Sequence, residues 1–481
     1  MTDTEQSKIF KFFLFCGAIY FVQATGTTGG LAGTMISYFF KEGLGMTATT
    51  MAYIGAITSL AWWIKPGFGL LSDFVPLYGY RRKTYIYLCN SISILLWLSL
   101  AGMAFAGVIT SYWPIAIVSI IMGFCFAMTD VVADGLMVQT GQKYGKTGAF
   151  QAVQWSTIRI AIMLTAVLGA VLANWVMPDT GKAIFEITAT TYYRMGLIFL
   201  MSAFFPLLNI FAAWKWTDEE KMIRTKENLD KIKAGIKKAV KMKRVWILAL
   251  CIFGLQFSPS AGTPFFFYIR DYCGPGHGQM TKMTLAWLST FESAIGILGC
   301  LTYWKWGKLV DIKKLLYFSI FLGFVTSFLY LWVQSVTTLY IFAALFGPIG
   351  AFIFLAFMDI AAKNCPKLAE GLVFAGLCAI MNIASSASGA FGGWMFKMVD
   401  VNKAIIYFPS LYGFGIGHTV DNPGMWFNWS WKLTNWLSDY GISASMIGLR
   451  PLIIIGALLT LMTIVFIPLM KLNREGYMEI E

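Results

Sequence analysis

Residues 69–83 read GLLSDFVPLYGYRRK, and residues 307–314 read GKLVDIKK. Each follows an apolar run, places an aspartate four positions after a glycine, and continues into basic residues. A second pair of segments stands in the same order: DVVAD from Asp130 and DIAAK from Asp359. The offsets are 238 (307 − 69) and 229 (359 − 130), each close to half of the 481-residue chain. Two matches in one order point to a duplicated unit, and duplication is how transporters commonly build two helical bundles around a shared site.

Composition says what the unit is made of. Hydrophobic residues make up 58% of the chain and charged residues 13%, against about 25% charged in an ordinary soluble domain. A membrane-spanning helix needs about 20 mostly apolar residues. Dividing the chain on that basis predicts twelve spans, near 11–38, 48–71, 85–108, 113–138, 147–174, 194–214, 246–268, 284–304, 315–333, 337–362, 370–396 and 449–470. The first is too long for a signal peptide and is expected to stay in the mature chain. The predicted fold is therefore all-α and integral to the membrane, with twelve transmembrane helices in two six-helix bundles.

Between the sixth and seventh spans the sequence turns to TDEEKMIRTKENLDKIKAGIKKAVKMKR, residues 217–244. This divides the chain into an N-terminal bundle over 1–214, a basic cytoplasmic linker over 215–244, and a C-terminal bundle over 245–481 that carries a long external loop at 398–447. Leu229, Ile232, Ile236 and Val240 recur at helical spacing in the linker. They fit either an amphipathic helix on the anionic leaflet or a solvated linker helix.

The net charge of +13 follows topology rather than nucleic-acid binding, because Lys and Arg concentrate in alternate loops. Lys8, Lys11, Arg81, Arg82, Lys83, Lys143, Lys146, Lys305, Lys308, Lys363 and the linker fall on one side, which the positive-inside rule makes cytoplasmic. Both termini are expected there, in a multi-pass protein of the cell membrane that works as a monomer among lipids, with no nucleic-acid partner. The eight cysteines show no CxxC spacing, and the two histidines, His277 and His418, lie in predicted external loops. No metal site and no cofactor are expected.

Ionisable groups inside hydrocarbon are rare enough that each is a functional hypothesis. Asp130 and Asp134 share a face of the fourth span with Gly123 and Ala127, and Gln151, Trp155 and Arg159 follow at i, i+4 and i+8 on the fifth. Arg159 is placed to pair with Asp130, either as a fixed structural pair or as one that opens around an anionic substrate. Glu292 lies mid-span among Ser289, Ser293 and Gly296, which suits a proton carrier as well as a structural hydrogen-bonded carboxyl. Asp359 stands at the end of the tenth span. Lys65, before Pro66, is expected to snorkel to the interface. Gln256, Ser258 and Asn382 supply neutral donors and acceptors, and Trp155 or Phe266 offers a stacking surface. Gly69, Asp73, Arg81 and Arg82, repeated at Gly307 and Asp311, read as a gate-like clasp.

Three segments carry a family likeness. LSDFVPLYGYRRK (residues 71–83), QFSPSAGTPFFFY (residues 256–268) and AAKNCPKLAEGLVFAGLCAIMN (residues 361–382) resemble the signatures of the folate-biopterin transporter family of the major facilitator superfamily. The resemblance implies secondary transport of a small solute of folate or pterin type, by alternating access and with protons as the coupling ion. Asp359, where the family pattern has an apolar residue, and the long segment 400–447 depart from it. Muropeptides, sugars or amino acids are the alternative solutes. A membrane-embedded enzyme would need a polar catalytic cluster that the sequence lacks, and a receptor on a transporter fold would fail to move solute.

Overall fold

A computed structural model describes residues 3–46, 48–178, 185–217, 241–260, 280–365, 370–399 and 449–474, with scattered positions in 218–240 and 261–279. The linker helix, Phe266, the two histidines and the long loop at 398–447 lie wholly or almost wholly outside the described residues.

The chain is helical throughout the described residues. In order come α1 (Asp3–Thr25), α2 (Gly33–Tyr38), a π-helical turn (Phe39–Gly43), α3 (Ala48–Trp63), α4 (Lys65–Phe74), α5 (Lys83–Phe105), α6 (Trp113–Tyr144), α7 (Thr147–Val176), α8 (Ala189–Ser202) and α9 (Phe204–Trp216). The second half runs through α10 (Lys243–Gln256), α11 (Lys282–Trp306), α12 (Ile312–Leu329), α13 (Val336–Lys363), α14 (Glu370–Val399), α15 (Arg450–Met462) and α16 (Phe466–Leu469).

Among the described residues ten helical stretches are long and apolar enough to cross a membrane, two of them, Ala189–Trp216 and Leu452–Leu469, made of consecutive α-helices. The other two predicted spans, 48–71 and 246–268, are interrupted, and for a visible reason. Pro66 lacks the N–H that would bond to Trp62, and the chain breaks between α3 and α4 at Ile64. Pro259 follows the end of α10 at Gln256 in the same way. Helix α6 runs unbroken for 32 residues from Pro114 in its first turn to Gly145, whose φ of 62° ends it. Its length of about 48 Å exceeds the hydrocarbon thickness of about 30 Å, so its last turns stand beyond the bilayer core.

Packing differs between the two ends of the molecule. On the basic side, where helix ends carry Lys143, Lys305 and Lys363, one continuous apolar core joins both halves, from Phe12, Phe15 and Phe150 to Leu355, Phe374 and Ile467. At the opposite end there are two separate cores. One belongs to the first half, around Trp97 and Phe199, and the other to the second, around Tyr268 and Leu339. The apolar cores are fused at the basic end and separate at the other, where Lys282 of the second half still bridges to the first: its Nζ donates to the Met177 carbonyl at 3.3 Å and lies 3.6 Å from Glu42 and 4.1 Å over the Tyr38 ring.

The closest seam between halves is α7 against α11, with α14 packed on α3, α4 and α6. Close helix approach needs small residues. At Gly299 of α11 an added Cβ would lie 2.1 Å from the Pro348 carbonyl oxygen of α13, a backbone atom with no freedom to move aside.

Candidate functional site

The polar residues of the first half gather where α1, α4, α6 and α7 meet. Asp130, 3% exposed, forms a buried ion pair with Lys65, 5% exposed, whose Nζ also lies 4.8 Å over the Trp62 ring. The expectation that Lys65 snorkels and that Arg159 pairs with Asp130 is corrected here. The break at Ile64 turns α4 inward, so Lys65 reaches Asp130 across the bundle. Arg159 faces α11 instead, its guanidinium lying where a Cβ on Gly296 would come within 2.1 Å of Nη1.

One turn beyond Asp130, Asp134 is 2% exposed and accepts hydrogen bonds from the Tyr20 hydroxyl and, at 3.5 Å, from Gln154 Nε2. The cluster thus holds two carboxylates and one ammonium. Lys65 is engaged with Asp130, which leaves Asp134 with neutral donors.

Among the buried polar atoms with no partner are Gln151 Oε1, Gln154 Oε1, Trp155 Nε1, Ser156 Oγ and Arg159 Nε on α7, Gln23 Oε1 on α1, and Ser388 Oγ on α14. Buried polar groups are nearly always hydrogen-bonded, so five orphans within nine residues of α7, 151–159, mark a stretch where something else can supply the bonds. Both kinds are present. Amide oxygens accept, whereas the indole and guanidinium N–H groups donate. The Trp155 ring is already packed edge-on against Phe354 of α13, with centroids 4.5 Å apart.

Asn382, half-buried on α14, stands between Cys378, which lies within electrostatic reach of Lys65, and Ser386, which accepts from Trp63 Nε1 at 3.2 Å. The three are spaced i, i+4 and i+8, so Asn382 is on the face turned to the first half. Gln256 and Ser258 line a cavity inside the second half. Glu292 lies on α11 at the rim of this region, part of its surface open, with Arg159 as the cation in its electrostatic reach.

Asp359 belongs to a different structure from the substrate or coupling group expected of it. It is 5% exposed at the basic end of α13, where it accepts from Thr147 Oγ1 at 2.7 Å and Tyr303 OH at 2.8 Å and pairs with Lys363 at 2.8 Å. Thr147 comes from the first half. Gln142 Nε2 adds bonds to the Ala362 and Cys365 carbonyls at 2.9 and 3.3 Å. An acidic residue at this otherwise apolar position locks the two halves together, so the departure from the apolar pattern has a structural cause. Thr147→Val removes one cross-half bond, worth about 1 kcal/mol, and is expected to raise labelling of a cysteine introduced on the basic side near this contact about fivefold. Unchanged labelling would show that the bond does not hold the halves together.

The two copies of the glycine-aspartate loop are used differently. Asp73, 2% exposed, pairs with Arg81 and lies 4.0 Å from Arg82, whose Nη1 donates to Gln139 Oε1 of α6 at 2.7 Å. Glu219, beyond α9, accepts the backbone N–H groups of Arg81, Arg82 and Lys83 at 3.0, 3.3 and 2.8 Å and so caps the start of α5. Gly69 is buried on α4, which packs on α14. In the second half Asp311 caps α12 through the Lys313 and Lys314 N–H groups, and Gly307 packs against the Tyr303 ring. Matching contacts at the seam, expected from the repeat, are not formed by Asp311. The stretch from the glycine to the second aspartate motif is nine residues longer in the first half (238 − 229); it supplies Asp73 with Arg81 and Arg82 from its own loop, whereas the arginine near Asp311, at 3.9 Å, is the exposed Arg474 beyond α16.

Sequence reasoning overlooked Tyr20, Gln23, Gln154, Ser156, Thr147 and Tyr303. One signal for Tyr303 was present: the offset of 238 that relates Gly69 to Gly307 also relates Lys65 to Tyr303 (303 − 65). Lys65 on Asp130 and Tyr303 on Asp359 are the same contact made twice.

Comparisons with known proteins follow this geometry. The profile of the BT1 family matches residues 25–406. The folate-biopterin transporter of Synechocystis sp. is 26% identical over 403 residues, 80% of this chain and 75% of that protein. Folate transporter 1 of Plasmodium falciparum is 22% identical over 295 residues, 60% of this chain and 52% of that protein. In fold, the chain is similar to the crystal structure of a Major Facilitator Superfamily transporter, FucP, in the outward conformation, with a TM-score of 0.63, 13% identity, and coverage of 95% of this chain and 98% of that one. The arrangement of helices is the major facilitator fold, and with its family profile matched across most of its length this chain, a multi-pass membrane transporter and not an enzyme, belongs to the BT1 family.

Proposed function

We propose that the chain is a secondary transporter of a folate- or pterin-type solute, working by alternating access and coupled to protons. The observation that carries this reading is the set of unpartnered polar atoms on α1, α7 and α14. Acceptors on Gln23, Gln151 and Gln154 and donors on Trp155 and Arg159 suit a heterocycle that both gives and takes hydrogen bonds, and Arg159 suits an anionic substituent. The names of the relatives agree with that chemistry. Asp134 is the proposed proton carrier, because a proton there would cancel the charge that Lys65 does not balance.

The two bundles, 1–214 and 245–481, are proposed to rock about this site, with the segment 215–244 as their tether. The basic side is read as cytoplasmic, which places both termini inside a cell membrane, and a monomer suffices because residues of one chain surround the site. The test is a thermal-shift screen of the purified protein against folates, pterins, amino acids, sugars and peptidoglycan fragments, with uptake of any hit by liposomes. Stabilisation and uptake of folates or pterins are expected. A response confined to sugars, amino acids or peptidoglycan fragments would replace the substrate class.

A further inference from the structure

A cavity of about 330 Å³ lies inside the second half, between α10, α12, α13 and α15. Its lining includes the hydroxyls of Ser319, Thr326, Ser327 and Thr460 and the rings of Phe346, Phe354 and Phe357, and no charged residue. Each of the four hydroxyls donates its proton to its own helix. Ser319 bonds to the Leu315 carbonyl at 2.6 Å, Thr326 and Ser327 to that of Gly323 at 3.1 and 2.8 Å, and Thr460 to that of Gly456 at 3.0 Å. What remains on each oxygen is acceptor capacity. With the Gln256 amide and the Ser258 hydroxyl also in the lining, the cavity suits an uncharged ring that mainly donates N–H bonds and also accepts one.

The internal repeat shows that this space is particular to the second half. One offset relates three positions: Asn90 to Ser319, Thr129 to Met358 and Asp130 to Asp359, each pair 229 residues apart (319 − 90, 358 − 129, 359 − 130). In the first half Asn90 donates to Thr129 Oγ1 at 3.2 Å and accepts from Asn209 Nδ2 at 2.9 Å, a buried network that fills the bundle. In the second half Ser319 and Met358 hold those places and both line the cavity, with Thr460 contributed by α15. The amide plug is missing where the cavity stands.

Phe354 joins the cavity to the central site, since its ring is both part of the lining and the partner of Trp155. Arg159 follows Trp155 by one turn, about 6 Å along α7. The volume is at the lower end of the roughly 300–1,000 Å³ of small-molecule sites, enough for one bicyclic ring and too small for a whole folate. We infer, resting on the substrate class proposed above, that this cavity receives the flat, amino-bearing heteroaromatic end of the substrate, while the anionic end lies toward Arg159.

The inference is tested by equilibrium binding of pterin (2-amino-4-oxopteridine), folate and p-aminobenzoylglutamate to the purified full-length protein and two variants. Ser319→Asn restores the amide of the first half and fills the space. Thr460→Val keeps the shape and removes one acceptor. Pterin affinity is expected to fall at least about tenfold in Ser319→Asn and about fivefold in Thr460→Val, with p-aminobenzoylglutamate binding unchanged in both. Should Ser319→Asn fail to fold, the isosteric variant decides. Wild-type pterin binding that both folded variants retain would overturn the location and leave the functional reading intact. Failure of the wild type to bind pterin or folate would overturn the functional reading and the inference with it.

Discussion

Asp134→Asn is expected to abolish accumulation of substrate driven by a pH gradient in proteoliposomes, while exchange of labelled for unlabelled substrate continues within a few-fold of wild type. The expectation follows from the charge balance of the first half. Asp130 has its ammonium in Lys65 at ion-pair distance, and Asp134 is hydrogen-bonded by the neutral Tyr20 hydroxyl and Gln154 amide. Asparagine keeps the size and polarity of the side chain, and its carbonyl still accepts from Tyr20 and Gln154, so the helices stay in place. What it loses is the ability to take and release a proton. Gln154 couples the two events, since the same side chain bonds to Asp134 and leaves its own oxygen unpartnered beside Trp155. Reciprocal linkage requires that a ligand on Gln154 alter the protonation of Asp134 as much as the proton alters ligand affinity. Normal accumulation by Asp134→Asn would make this carboxylate structural.

Lys65→Met is expected to cost about 3–5 kcal/mol of stability, seen as a large drop in melting temperature and yield, because it leaves the Asp130 carboxylate buried without its counter-charge. Methionine preserves the contact with Trp62 and most of the side-chain volume, so the loss reports charge rather than packing. Adding Asp130→Asn to the same background is expected to recover most of the stability. If Lys65→Met alone unfolds at the wild-type temperature, the ion pair is not what stabilises this crossing of α4 and α6. If the double variant is no better than the single, the damage comes from repacking around residue 65 and not from an unpaired charge.

Much of the architecture is legible in the sequence because lipid imposes one rule on every span: the backbone must satisfy itself. The apolar runs mark the helices, and Pro66, Pro114 and Gly145 mark where they break, begin and stop. The repeat at Gly69/Gly307 and Asp130/Asp359 marks the two halves. The partners are harder to read, because they depend on how helices far apart in sequence are turned against each other. Arg159 and Asp130 lie on adjacent spans, yet the break at Ile64 brings Lys65 to Asp130 first. Asp359 looks like a substrate or coupling group because it is an ionisable residue within a span. Only its contacts with Thr147 and Tyr303 show it to be a lock between halves. The orphaned atoms of Gln23, Ser156 and Ser388 carry no charge and no spacing signal, so nothing in the sequence separates them from other polar residues in helices.

The most direct measurement is counterflow. Liposomes containing the purified wild-type protein are loaded with unlabelled folate and diluted into a trace of labelled folate with no gradient of pH or voltage. A carrier whose single site faces each side in turn predicts transient accumulation of label above the level set by the outside concentration, followed by decay, with the overshoot suppressed by external pterin. Label that only rises to equilibrium would indicate a passive pathway. No entry in excess of protein-free liposomes, for folate or for pterin, would contradict the account of this chain as a folate- or pterin-type carrier.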